Sequence, residues 1–261
     1  MSHGEPKSGL SLAGTRELIL PVTVLGSFVL YYVLELPGWT VVALALPMGV
    51  IFAIAPSWAA RSVASFDRDL VRLLATGQRV ALRRRYALAL GMRLFSPPAV
   101  SAERRAVAAA ENGLPREAKA GYLVALHGYG RPAPLRVLLG YAHACYSLGD
   151  DAQAIATYRE LLDHAGALPG VRRNLAHALV RRGESLREAL ELMDVDAATD
   201  GNGARVAERD LMRALAHAKL GERERATELA GRSAGADSEL AESLRVALQR
   251  ELDGITTARP A

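Results

Sequence analysis

Hydrophobic and polar positions divide this chain into two regimes. Up to Ala60 the apolar residues run together. Residues 18–34 carry no charge, and after Glu35 none appears between Leu36 and Ala60. Beyond that point they recur at steps of three and four, the spacing of one helix face. Val63, Phe66, Leu70, Leu73 and Leu74 form one such series. Leu138, Tyr141, Ala142 and Cys145 form a second, and Ala154, Ile155, Tyr158, Leu161 and Leu162 a third. The fold class that follows is all-α.

A spanning helix needs about 20 apolar residues, with a lower limit near 17. Segments 18–36 and 39–58 both reach it, and Leu36-Pro37-Gly38-Trp39 between them reads as a tight turn. The pattern predicts an N-terminal transmembrane helical hairpin over residues 18–58, preceded by a tail, 1–17. Tyr31, Tyr32 and Trp39 cluster at the turn and Trp58 marks the far end, as an interfacial aromatic belt does. Two competing readings are a hairpin buried in a soluble protein and a monotopic hairpin in one leaflet. Pro21 and Pro47 suit the bends of the latter, although spanning helices tolerate proline as well. A secretory signal peptide fits poorly, because no small-residue cleavage site follows Leu34 and a second apolar segment comes at once.

Charge orients the hairpin. Arg61, Arg68, Arg72, Arg79, Arg83, Arg84, Arg85 and Arg93 follow the second segment, against only Asp67 and Asp69. That excess is larger than the +4 of the whole chain. The positive-inside rule places the C-terminal side in the cytoplasm of an inner-membrane protein, and a hairpin returns the N-terminus there too. Residues 59–98 read as a basic juxtamembrane helix, with a possible break at Gly77 and an end at Ser96-Pro97-Pro98. It is either a solvated connector or a helix lying on anionic lipid through Arg79, Arg83, Arg84 and Arg85. Nucleic-acid binding is the weaker third reading, since no aromatic residues interleave the cluster.

Composition adds little that conflicts. Half the residues are hydrophobic but only 5% are aromatic, which suits helices packed through small side chains. The single cysteine, Cys145, excludes an internal disulfide and sits on an apolar helix face. No phosphate loop, His-Glu-x-x-His, Cys-x-x-Cys or Gly-x-Ser-x-Gly is present. The chain reads as non-enzymatic, with no cofactor and no metal.

From Gly113 onward a Gly precedes an Ala by five or six residues four times: Gly113/Ala118, Gly149/Ala154, Gly183/Ala189 and Gly221/Ala226. The Gly-to-Gly steps are 36, 34 and 38 residues, a period that marks helical repeats. Each Gly follows a small residue seven or so positions earlier: Ala106, Ala142, Ala176 and Ala214. Tyr122, Tyr158 and Met193 stand four beyond the second Ala, where the fourth copy has Ala230. These residues resemble the tetratricopeptide repeat, most closely in the copy built on Ala142, Gly149, Ala154 and Tyr158. No copy carries that family's Trp. A related helix-pair array, or an irregular Ala-rich bundle, would share the spacing.

The resemblance implies an α-solenoid of about four helix pairs over residues 99–250, followed by a disordered tail, 251–261. It also implies a concave groove lined by Arg136, Leu139, His143 and Tyr146, then Arg173, His177, Val180 and Arg181, then Lys219. Such a groove would grip an acidic or C-terminal segment of a protein partner. The layout is similar to that of bacterial inner-membrane repeat proteins and implies a scaffold or adaptor. The alternative is a structural subunit of a membrane complex, with contacts made by small residues of the hairpin such as Gly26, Ser27, Gly49 and Ala53. The segment 196–203 reads as an acidic inter-repeat turn.

Overall fold

The computed structural model describes residues 38–166, 169–196, 203–233 and 238–257, together with Gly26 and Tyr31. Among the described residues every regular element is helical. In chain order they are α1 (Gly38–Ala75), α2 (Arg79–Leu88), α3 (Leu90–Phe95), α4 (Pro98–Glu111), α5 (Pro115–Tyr129) and α6 (Leu135–Ser147). Then come α7 (Asp151–Ala165), α8 (Pro169–Arg182), α9 (Leu186–Asp196), α10 (Gly203–Lys219), α11 (Arg223–Arg232) and α12 (Glu239–Thr257). The chain forms two compact units, Met1–Gly140 and Tyr141–Ala261, so the division falls inside α6.

In the first unit α1 spans 38 residues, a path of about 57 Å at 1.5 Å per residue. It runs unbroken through the boundary expected at 58/59. The second apolar segment and the start of the basic helix are therefore one element. The stop comes at Gly77, whose φ of 69° only glycine adopts cheaply, and there Gln78 N–H bonds back to Leu73 C=O at 2.9 Å. Past that turn α2 and α3 fold back onto the C-terminal half of α1. Phe66 and Leu73 are buried with Leu82, Ala89, Met92 and Ala108. The N-terminal half of α1 is different: Trp39, Val42, Leu46, Val50 and Ile54, at helical steps, are all exposed, Trp39 by 71%. The stretch Gly49–Ala75 is long and apolar enough to cross a bilayer by length and composition, and only 18% of its apolar window is buried. The first hairpin segment, 18–36, lies outside the described residues apart from Gly26 and Tyr31, as does the tail 1–17.

α4 and α5 pack through missing side chains. A Cβ on Gly121 would come within 2.9 Å of Ala106, and one on Gly128 within 2.9 Å of Ala99. As one position rises the other falls, so the two helices are antiparallel. The Tyr122 ring then lies against Gly140 of α6, where a Cβ would sit 2.2 Å from the ring.

The four Gly–Ala periods close four helix-turn-helix pairs: α4/α5, α6/α7, α8/α9 and α10/α11. Gly113, Gly149, Gly183 and Gly221 take φ of 69, 75, 75 and 80°. After each, the next amide reaches back five residues, as Asp150 N–H does to Cys145 C=O at 3.0 Å. This is the Schellman closure, which satisfies carbonyls that a helix end leaves free. Asp150 also caps α7 through Gln153 N–H. All eight alanines of the pattern, Ala106 to Ala226, are completely buried. Tyr122, Tyr158 and Met193 are buried beside them, whereas Ala230 is only half-buried. The extra residue in the third turn is absorbed by Ser185 at φ 45°.

In the second unit α8 packs on α7, α9 and α10, and α10 also packs on α11 and α12. Helix α12 continues to Thr257, so the segment expected to be disordered from residue 251 is helical as far as it is described. The acidic turn lies largely outside the described residues, at 197–202.

Candidate functional site

In the second unit the repeat geometry sets which residues of α6 and α8 reach solvent. Tyr141, Ala142, Ala144 and Cys145 turn inward, leaving His143 and Tyr146 on the outer side of α6. The burial expected for the Cys145 thiol holds. On α8 every residue from Leu175 to Val180 is buried, because neighbouring helices cover it on several sides. His177, expected beside His143 on an open groove, is therefore a core residue, 7% exposed. Val180 is fully buried as well. Burial, reinforced by Arg173 and Arg181, pushes the His177 pKa down to about 4, so its ring is neutral at ordinary pH.

Arg181 is already engaged. Its Nε donates to both oxygens of Asp151, at 2.9 and 2.7 Å, and an Nη donates to one of them too. The same guanidinium donates to Tyr146 C=O at 2.7 Å and lies 4.2 Å over the Tyr146 ring. Lys219 donates to Arg181 C=O at 3.3 Å and sits 3.8 Å from Glu251. Arg173 has no ion pair among the described residues. Near it, His143 Nε2 is 3.1 Å from the Asn174 amide, and its ring meets Tyr158 edge-on at 6.0 Å. Burial and the charge of Arg173 lower the His143 pKa. The structure thus brings Arg173, His143 and Asn174 together as one half-open cluster. It shows Arg181 as a bracket between α6, α7 and α8.

Arg136 and Leu139 belong to the first unit. Arg136 reaches Glu103 at 2.5 and 3.2 Å. Glu103 is buried, yet it also accepts from Tyr129 Oη and Arg104 at 2.6 Å each, and Arg104 forks onto Asp67 at 3.1 and 2.8 Å. A carboxylate this deep is tolerable only when its lone pairs are filled by cationic donors. The hydrogen bond to Glu103 holds Arg136 above its ordinary pKa. Sequence reasoning missed Glu103. Its signal was faint: one acid beside two arginines in an alanine-rich helix.

The four arginines assigned to a membrane surface also divide. Arg85 turns inward, donating to Asp69 at 2.5 Å and to Ser65 Oγ at 2.6 Å, and so fastens α2 to α1. Arg79 lies 3.8 Å from Glu111. Arg83 and Arg84 are exposed and form no ion pair among the described residues. Two of the four are partly committed to the fold, because nearby carboxylates compete for their charge.

No group of three or more His, Cys, Asp or Glu among the described residues is placed to hold a metal ion. No family model matches the chain, and no curated protein matches it.

Proposed function

We propose that this chain is a non-catalytic scaffold held at a membrane by its apolar N-terminal segments, with tetratricopeptide-like helix pairs that bind a protein segment on the cytoplasmic side. The observation that carries the reading is the exposed stripe Trp39, Val42, Leu46, Val50 and Ile54 on α1. Each such side chain forgoes about 1.5–3 kcal/mol while it faces water. A stripe of this size is a surface for lipid or for another apolar helix. The recurring glycine turns and the eight buried alanines support a repeat array, and the arginines after Ala60 support the cytoplasmic orientation. In the partner-binding cluster Arg173 is the cation available to an acidic segment, since Arg136 and Arg181 are neutralised internally.

The membrane part is tested by alkaline carbonate extraction with protease accessibility in sealed vesicles. The expected result is a chain that stays in the pellet with its C-terminal helices on the cytoplasmic side. Release into the supernatant would remove the anchor from the reading. The binding part is tested by Arg173→Glu, which should abolish co-purification of the partner from detergent-solubilised membranes while helix content is unchanged. A second reading, a subunit of a membrane complex assembled through the apolar segments, is favoured by the openness of Gly49, which has no neighbour among the described residues within 4 Å of an added Cβ. In that case Arg173→Glu leaves the complex intact and Gly49→Leu disrupts it.

A further inference from the structure

A cleft of about 210 Å³ in the first unit is lined by Arg83, Arg93 and Arg105, one arginine from each of α2, α3 and α4. Tyr86 and the buried Ala108 back it, and Glu117 is the one acid on its wall. Among the described residues none of the three arginines forms an ion pair. This is unlike Arg85, Arg104 and Arg136 in the same unit, each of which has a carboxylate. Arg93 is held in place, donating to Ala87 C=O at 2.9 Å with its guanidinium 5.8 Å from the Tyr86 ring centre. Arg93 and Arg105 both act on Tyr86, favouring its phenolate against the stronger opposite effect of burial. Both charges therefore converge on the same wall.

Three guanidinium forks around a small space, offset by one carboxylate, leave a site short of negative charge. The volume is below the 300–1,000 Å³ of pockets for drug-sized ligands. Arginine presents planar, paired donors that match phosphate oxygens. We propose that this cleft binds a phosphate group. Its position suggests the source. Trp58, at the end of the exposed apolar stretch, packs on Phe95 at 5.4 Å and against Gly91, two residues before Arg93. With α1 in a bilayer, the cleft lies at headgroup level, where anionic lipid attracts arginine. The lipid source rests on the membrane reading above; the phosphate chemistry does not.

The test uses the full chain in dodecyl maltoside, with thermophoresis as the binding readout. One arm titrates mixed micelles containing phosphatidic acid, with phosphatidylcholine as reference. The other titrates inorganic phosphate and glycerol phosphate. The variants are Arg83→Gln/Arg105→Gln, which removes two cleft cations without breaking a side-chain hydrogen bond among the described residues, and Arg84→Gln, which removes an exposed cation outside the cleft lining. Binding of phosphatidic acid that falls at least tenfold in the double variant, but not in Arg84→Gln, supports a headgroup site. The same pattern with inorganic phosphate supports the site with a soluble source. Absence of binding in both arms, or a double variant that binds like the parent, overturns the proposal. Carbonate extraction of the membranes from which the chain is purified, before detergent is added, separates the two readings. A chain that stays with the membrane yet fails both arms loses only the cleft. A chain that is extracted yet binds phosphate loses only the anchor.

Discussion

Ala142 and Val50 sit on helices of the same chain under opposite rules. Ala142 and its seven counterparts are small and completely buried, whereas Val50 and its neighbours on α1 are large and exposed. In the helix pairs the limit is distance: backbones approach until only a methyl group or nothing fits between them. On α1 the limit is solvent, because nothing among the described residues covers the stripe. The helix pairs carry their own core, while the stripe on the N-terminal half of α1 faces solvent.

The contrast is sharpest at the filled end of a pair. Tyr158→Ala should cost about 3–5 kcal/mol, the range for truncating a buried aromatic residue, measured by chemical denaturation in detergent. A loss under about 1 kcal/mol would mean that the pair is not held by its aromatic filler. On the other side of the comparison, Val50→Arg should leave helix content and melting in detergent almost unchanged. It should nevertheless weaken membrane retention, since arginine at a helix centre costs about 2.5–3.5 kcal/mol on insertion scales. Equal retention would show that this face does not meet lipid.

Acid should separate the regions as well. The folded pKa of His177 lies near 4, below the ordinary 6.5, so the unfolded chain binds the proton first. Stability from this residue is complete above about pH 6.5 and is lost as pH falls toward 4, on the order of 3 kcal/mol in all. The acid-limb slope should flatten in His177→Gln; a parent-like slope would assign it to other groups. The smallest of these effects belongs to the turns. Gly149→Ala forces a methyl-bearing residue to φ 75°, at roughly 1–2 kcal/mol. A neutral result would indicate that the Schellman turn shifts without harm.

Much of the helix-pair framework is legible in the amino-acid sequence. The period fixed on Gly113, Gly149, Gly183 and Gly221 located four turns, and each is a helix break in the left-handed region. The small-residue places also located eight buried methyl groups. The candidate site was less legible. His143 and His177 hold equivalent places in the repeat pattern, yet one is open and the other is covered by later helices. Arg181 and Arg173 are indistinguishable by type, but Asp151 occupies one and leaves the other. Arg93 and Arg105 stand 12 residues apart in the numbering, and nothing in their spacing announces a shared cleft.

The sequence by itself determined where the four repeat turns fall and which positions must stay small, because backbone conformation and close approach are set by the residue at hand and its near neighbours. It also determined that an uncharged run leads into α1. Only the tertiary structure decided which charges are spent and which are free. That depends on carboxylates 16 to 37 residues away, as in Arg85 with Asp69 and Arg104 with Asp67. Only folding brings such groups within the few ångströms at which a hydrogen bond forms.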